Sequence, residues 1–299
     1  MKINIRNAAV LVLLLIGTSA KAQEDLLNLV DKGDSKPKKE YVKYAFKSTR
    51  VINGHSMEFL SPGTMDFRIL HRFGPTNQGY KNFFGLDQAS MRMGFDFGLY
   101  RNLMIGFGRS SYKKEVDAYF KYAPFMQSTG TGSFPITVAI VAGATLNTSP
   151  WQDTTIHNYL TTRLAYYYQV ILGRKITEGF TLQLTPTMVH NNLVPFTSQP
   201  NDVFSLGVGG RLKLTQRLAI TWDYFHRFNG LEKDVTFNPV SLGLDIETGG
   251  HVFQLHFSNA TGMNERAFIT ETTNRIDKVE LRFGFNLSRV FQIKKTNHK

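Results

Sequence analysis

The chain has 299 residues, 42% hydrophobic, 13% aromatic and 19% charged, with no cysteine. That excludes a disordered chain, a disulfide scaffold and a cysteine-ligated zinc site. Half of the formal charge of +12 is terminal, carried by Lys2, Arg6 and Lys21 at one end and Lys294, Lys295 and Lys299 at the other. The remainder is interspersed with acids and makes no basic stripe, so nucleic acid is not expected as a partner.

In chain order, Lys2 and Arg6 precede an apolar run from Ala8 to Ile16, followed by the small-residue site Ala20-Lys21-Ala22. This pattern predicts a secretory signal peptide over 1–22, cleaved on export. The run is too short for a membrane helix, which needs about 20 residues, and no later stretch comes close. If the mature chain meets a bilayer, it must cross with strands. Residues 23–63 carry Lys32, Lys36, Lys38, Lys39 and Lys43 among Asp31, Asp34 and Glu40. They are read as an exposed periplasmic N-terminal arm.

From Thr64 the pattern changes to segments of about ten residues in which apolar side chains alternate with polar or small ones, the period of a strand. Strands are predicted at 64–73, 88–100, 103–111, 114–124, 135–146, 159–175, 179–190, 203–214, 217–228, 238–247, 250–259 and 278–293. Met91, Met93, Phe95, Phe97 and Leu99, for example, oppose Arg92, Gly94, Asp96 and Gly98. Four of five connections on one side are tight, such as Arg101-Asn102 and Thr248-Gly249-Gly250, and five of six on the other are long. Short periplasmic turns and long external loops are the habit of outer-membrane barrels. The expectation is therefore an all-β, transmembrane, antiparallel up-and-down barrel of about twelve strands over 64–293, with a basic tail at 294–299.

Alternation alone also fits a soluble sandwich, so the polar face has to decide. A sandwich exposes Lys and Glu freely, whereas here that face is rich in Gly, Ser, Thr, Ala, Asn and Gln with isolated charges. Tyr and Trp gather toward strand ends, as Tyr100, Tyr112, Tyr122, Trp151, Tyr159 and Tyr224 do, in the manner of interfacial girdles. The candidate lumen wall comprises Arg68, Arg92, Asp96, Arg163, Arg211, Asp223, Asp245 and Arg282. Arginine suits an enclosed space because its planar fork pairs with carboxylates.

Eight histidines are scattered, and His251 and His256, five apart, point to opposite faces of one strand. Neither HExxH nor Gly-x-Ser-x-Gly occurs, so no catalytic residue, cofactor or metal is assigned and no enzyme is expected. Phe46-Lys47-Ser48-Thr49-Arg50, Ile52-Asn53-Gly54, Asp66-Phe67-Arg68, His71-Arg72-Phe73-Gly74, Asn192-Leu193-Val194-Pro195, the run from Asp245 to Leu255, Phe268-Ile269-Thr270-Glu271-Thr272 and Phe283-Gly284-Phe285-Asn286-Leu287-Ser288-Arg289 together resemble an outer-membrane-type β-barrel family known as a domain of unknown function. The resemblance covers roughly 46–293 and implies a barrel, with no residue role to carry over.

The expected location is the outer membrane of a Gram-negative bacterium, with outer-membrane lipid around the barrel. The expected function is a narrow pore or small-solute transport barrel, its Arg-rich wall favouring a small anionic solute. The alternative is a non-conducting scaffold or receptor that binds a periplasmic or surface protein through external loops near 74–87 and 260–277. An outer-membrane enzyme is a third reading.

Overall fold

The computed structural model describes residues 37–294 apart from 152, 156, 195, 196, 198 and 230–233. The expected signal peptide, the first part of the expected arm and the tail beyond 294 lie outside the described residues. The described residues from Lys39 onward form one compact unit.

Twelve antiparallel strands close into a barrel. They are β1 (Thr64–Pro75), β2 (Ala89–Tyr100), β3 (Leu103–Ser110), β4 (Glu115–Phe125), β5 (Thr137–Asn147), β6 (Leu164–Lys175), β7 (Phe180–Asn191), β8 (Asp202–Lys213), β9 (Leu218–Arg227), β10 (Val240–Thr248), β11 (His251–Ser258) and β12 (Arg282–Gln292). Each strand pairs with its neighbours in sequence, and β12 closes the ring on β1, with Gln292 opposite Thr64 and Phe285 opposite His71. No edge remains unpaired, which is what a sheet in hydrocarbon requires. Strand lengths of 8–12 residues suit a tilted crossing of the bilayer core.

Period two sets the faces. Along β2, Arg92, Gly94, Asp96 and Gly98 are buried while Met91, Met93 and Leu99 are exposed. Outward side chains of neighbouring strands join into an apolar belt, seen in Phe67, Phe95 and Phe107, whose rings sit 5.1 and 5.5 Å apart in sequence. One end of the barrel carries tight turns. Gly249 and Gly250 take φ of 50° and 97° there, the left-handed geometry that a two-residue hairpin turn demands. The connection after β4 is longer and contributes Ser128–Thr129 to a small two-stranded antiparallel sheet with Glu40–Tyr41. The opposite end carries the long loops, including 259–281, which holds helix α1 (Glu265–Thr270). Among the described residues no helix is long and apolar enough to cross a membrane.

Two predicted strands begin later than expected. Leu160–Arg163 form a 3-10 turn ahead of β6, and β12 begins at Arg282 rather than near 278. Local alternation continues into both segments, but the ring does not, because the neighbouring strands have already ended.

The larger correction concerns the arm. Ala45, Phe46, Val51, Ile52 and Met57 are buried, as are Arg50, Asn53, His55 and Ser56. The stretch 44–60 runs inside the barrel and turns back on itself, with an isolated bridge between Arg50 and His55 and the Val51 N–H donating to the Gly54 carbonyl at 2.9 Å. A barrel lumen is polar, so a chain of mixed polarity finds partners there that an apolar core would not offer.

Candidate functional site

The interior is a junction between the hairpin 44–60 and the loop 259–274, which enters from the opposite end. The hairpin tip explains the direction of packing. Ile52-Asn53-Gly54 puts two backbone N–H groups on one side, and Asp223 of β9 accepts both through Oδ2, at 2.6 Å from Asn53 and 3.1 Å from Gly54. A Cβ on Gly54 would stand 2.6 Å from the Phe225 ring, so the tip fits only as glycine.

Around the tip the wall satisfies the hairpin backbone. Gln254 donates to the Val51 carbonyl at 2.6 Å, and Asn286 to that of Ile52 at 3.1 Å. Gln183 donates to the His55 carbonyl at 2.7 Å and accepts the Met57 N–H at 2.9 Å. Lys121 donates to the carbonyls of Ser56 and Glu58 at 2.7 and 2.5 Å. Arg72 reaches the Asn53 side chain at 3.0 Å, and Arg68 reaches Thr49 at 2.5 Å. Buried backbone groups must be paired, and here barrel side chains do the pairing.

Arg50 connects the two entering segments. Its Nη1 donates to the Asn53 carbonyl at 2.6 Å and to Glu265 Oε1, on α1, at 2.9 Å. His55 Nε2 lies 3.3 Å from the same Glu265 oxygen and 3.4 Å from the Tyr167 hydroxyl. Arg50 and Glu265 are both inaccessible to solvent, with side-chain exposures of 1% and 0%. Phe268, also on α1, packs edge-on against Phe225 at 5.0 Å. An apolar cluster of Phe46, Val51, Met57, Val141, Ile171 and Phe268 fills the space beside the polar contacts.

The loop is fixed at its outer end as well. Asn264 caps α1 by accepting the Ala267 N–H at 2.9 Å and donates to Glu115 at 2.6 Å. Arg266 joins Glu115 to Glu271, and Lys113 meets Glu271 at 2.7 Å. Burial works against the Glu271 carboxylate, yet Arg266 and Lys113 outweigh it and hold the group down at about 2.

The expected wall residues divide into three groups. Arg68, Arg92, Asp96, Asp223, Asp245 and Arg211 are buried on the inner face. Each of the first five is engaged. Arg68 meets Asp66 at 2.5 Å, Asp96 accepts the Thr49 hydroxyl at 3.2 Å, and Asp245 accepts from Thr221 and Gln254 at 3.0 and 2.9 Å. Arg92 forks onto Asp117 at 2.8 and 2.5 Å, its guanidinium lying across Gly94 and Gly108. Arg282 stands at the loop end and donates to the Phe73 carbonyl at 3.0 Å. Arg163 is placed differently from the expectation. It sits in the 3-10 turn outside the ring, stacked on Trp151 with its guanidinium carbon 3.3 Å from the ring centroid, and it donates to the Asn147 carbonyl at 3.2 Å.

Sequence reasoning leaves out Asp117 and Lys121 of the wall, although both fall on the inward phase of β4 between Val116, Ala118, Phe120 and Tyr122. Arg50, His55 and Glu265 have no comparable periodic signal. The Arg-rich wall is also charge-balanced: Asp66, Asp96, Asp117, Asp223 and Asp245 face the interior together with Arg68, Arg72, Arg92, Arg211 and Lys121.

Residues 46–291 match the family described as "Membrane bound beta barrel domain (DUF5777)". The chain belongs to this family. No curated protein matches it. Among solved structures it is similar to the NanC porin, at 8% identity and a TM-score of 0.45, over 76% of this chain and 98% of that one. It is also similar to an outer membrane channel from Pseudomonas putida F1, at 13% identity and a TM-score of 0.44, over 79% and 98% of the two chains. A third is OmpF of Salmonella typhi in complex with daunomycin, at 8% identity and a TM-score of 0.37, over 76% and 97%.

Proposed function

We propose that the protein is an outer-membrane barrel of a Gram-negative bacterium that is sealed by its own chain and acts as a non-conducting receptor or scaffold. The observation that carries this reading is the buried Arg50–Glu265 pair, which ties a hairpin from one mouth to a loop from the other in mid-lumen. An open pore leaves its wall charges hydrated for passing solutes. Here Arg68, Asp96 and Asp223 are instead bonded to the hairpin.

The narrow-pore reading requires all of these contacts to break, together with exposure of Phe46, Val51 and Phe268. Opening breaks many buried hydrogen bonds at once, each worth about 0.5–1.5 kcal/mol, and wets apolar side chains worth about 1.5–3 kcal/mol each, so spontaneous opening is a rare event. A secretory signal at 1–22 supports export, and short turns at the end where the hairpin enters support a periplasmic position for that end.

The receptor reading shifts the docking surface to 76–88. Much of the loop at 260–277 is inside the barrel, with Ala260, Met263, Glu265, Phe268 and Ile269 buried. The loop 76–88 exposes Tyr80, Phe83, Phe84 and Leu86. Phe83 and Phe84 hold φ of 46° and 52°, a costly backbone for bulky residues. Exposed aromatic clusters of this kind mark interaction surfaces, and the receptor reading assigns this one to a protein partner.

Planar-bilayer recording of the purified full chain tests the reading, with insertion checked by recovery of protein with liposomes. No discrete conductance is expected at any applied voltage. Stepwise, anion-preferring conductance from the unmodified chain would restore the pore reading.

A further inference from the structure

The barrel mouth at the tight-turn end holds a cavity of about 1550 Å³. Sites for drug-sized ligands occupy roughly 300–1,000 Å³, so this one has ample room for a ligand of that size. Its apolar part is formed by Phe59 and Leu60 on the underside of the hairpin and by Phe125, Met126 and Phe134, with the Phe125 and Phe134 rings stacked at 4.6 Å.

Its polar part is cationic. Lys39, Lys43 and Arg101 line it, and Lys39 Nζ and Arg101 Cζ lie 5.4 and 4.7 Å from the centroid of the same Tyr41 ring. Two like charges on one ring repel each other, and no ion pair among the described residues relieves Lys39, Lys43 or Arg101. Two acids line the cavity, Glu40 and Glu58. Glu58 is already committed, since its carboxylate accepts the N–H groups of Ala45 and Phe46. Beneath the floor, Lys121 stands 4.4 Å from the Phe59 ring centroid and is bonded to carbonyls rather than to a carboxylate. Glu40 is the one carboxylate left against Lys39, Lys43 and Arg101, so a net positive rim borders the apolar surface.

We propose that this cavity binds an anionic amphiphile, specifically a free long-chain carboxylate. The acyl chain lies on Phe59, Phe125 and Phe134, and the headgroup lies among Lys39, Lys43 and Arg101. A short anion would leave the aromatic surface wet, and a neutral chain would leave the cations unpaired. Only a ligand with both parts uses the whole site. The inference rests on this cavity alone, so its failure would leave the sealed lumen untouched.

The test is native mass spectrometry of the full chain in neutral detergent, titrated with oleate and compared with oleyl alcohol and acetate. One oleate per chain is expected, with oleyl alcohol and acetate at least about tenfold weaker. The double variant Lys39→Gln with Arg101→Gln should weaken oleate by a similar factor, Phe125→Ser should weaken it as well, and Lys278→Gln at the far end should leave it unchanged. Because Lys39 and Arg101 are exposed, their replacement does not threaten the fold. Oleate adducts that ignore these variants, or that oleyl alcohol reproduces, would overturn the proposal. Displacement of oleate by phosphatidylglycerol at equal concentration would assign the cavity to a membrane lipid and overturn a free carboxylate.

Discussion

Arg50 and Glu265 are 215 positions apart and meet directly at 2.9 Å, both buried. Such a pair is valuable because of what happens when half of it is removed: Glu265→Gln leaves a buried guanidinium without its counter-charge. Destabilisation of about 3–5 kcal/mol is expected, read as a shift in the urea midpoint of the detergent-solubilised protein. Arg50→Met combined with Glu265→Leu should cost much less than the sum of the single changes, since no charge is stranded. Additive costs would show that the two side chains do not act together. A second residue-scale prediction concerns Gly108. A Cβ there would stand 2.4 Å from Arg92 Nη2, so Gly108→Val must push the guanidinium off Asp117. A loss of about 2–4 kcal/mol follows from breaking a buried, forked pair. Gly249, whose Cβ position is open, serves as the control site, and its own positive φ in a two-residue turn limits the comparison to Gly249→Asn.

Among the elements, the loop that carries α1 has a built-in pH dependence. Glu271 is held at about 2 by Arg266 and Lys113 against the cost of its burial, below the ordinary carboxylate value of about 4.3. A depressed carboxylate contributes its stability above the unfolded value and loses it as pH falls through the folded one. The loop should therefore be firmest above pH ~4.5 and loosen progressively toward pH ~2, by an amount on the order of 3 kcal/mol. Hydrogen exchange over 264–272, corrected for the intrinsic effect of pH, checks this. Glu271→Gln should remove the pH step, and a profile that stays flat in the unmodified chain would refute it. The tip of the hairpin 44–60 is held instead by Asp223 and by amide side chains of the wall.

At the scale of the whole molecule, the barrel's stability depends on its outer belt facing hydrocarbon. Phe107 lies in mid-strand on that face, between Phe95 and Ala118. Phe107→Arg should cost about 2–4 kcal/mol, whereas Tyr100→Arg at the strand end should cost about 0–1 kcal/mol. Equal costs in a folding titration into liposomes would argue that Phe107 does not sit at the bilayer centre.

The strand count, the two faces of each strand and the alternation of short and long ends were legible in the sequence alone. All three follow from the period-two alternation, which survives because one face must meet lipid and the other must not. Arg92, Asp96, Asp223 and Asp245 could be placed inside from the phase of their strands. Arg163 could not be placed correctly, because alternation runs past the point where β6 begins. What fills the lumen was decided only by tertiary structure. In a soluble domain a core segment announces itself by apolar periodicity, but this interior is polar, so the hairpin carrying Arg50, Asn53 and His55 reads as an exposed arm. Its partners Glu265, Asp223 and Asn286 lie 170–234 positions away, and only closure of the ring brings them around it.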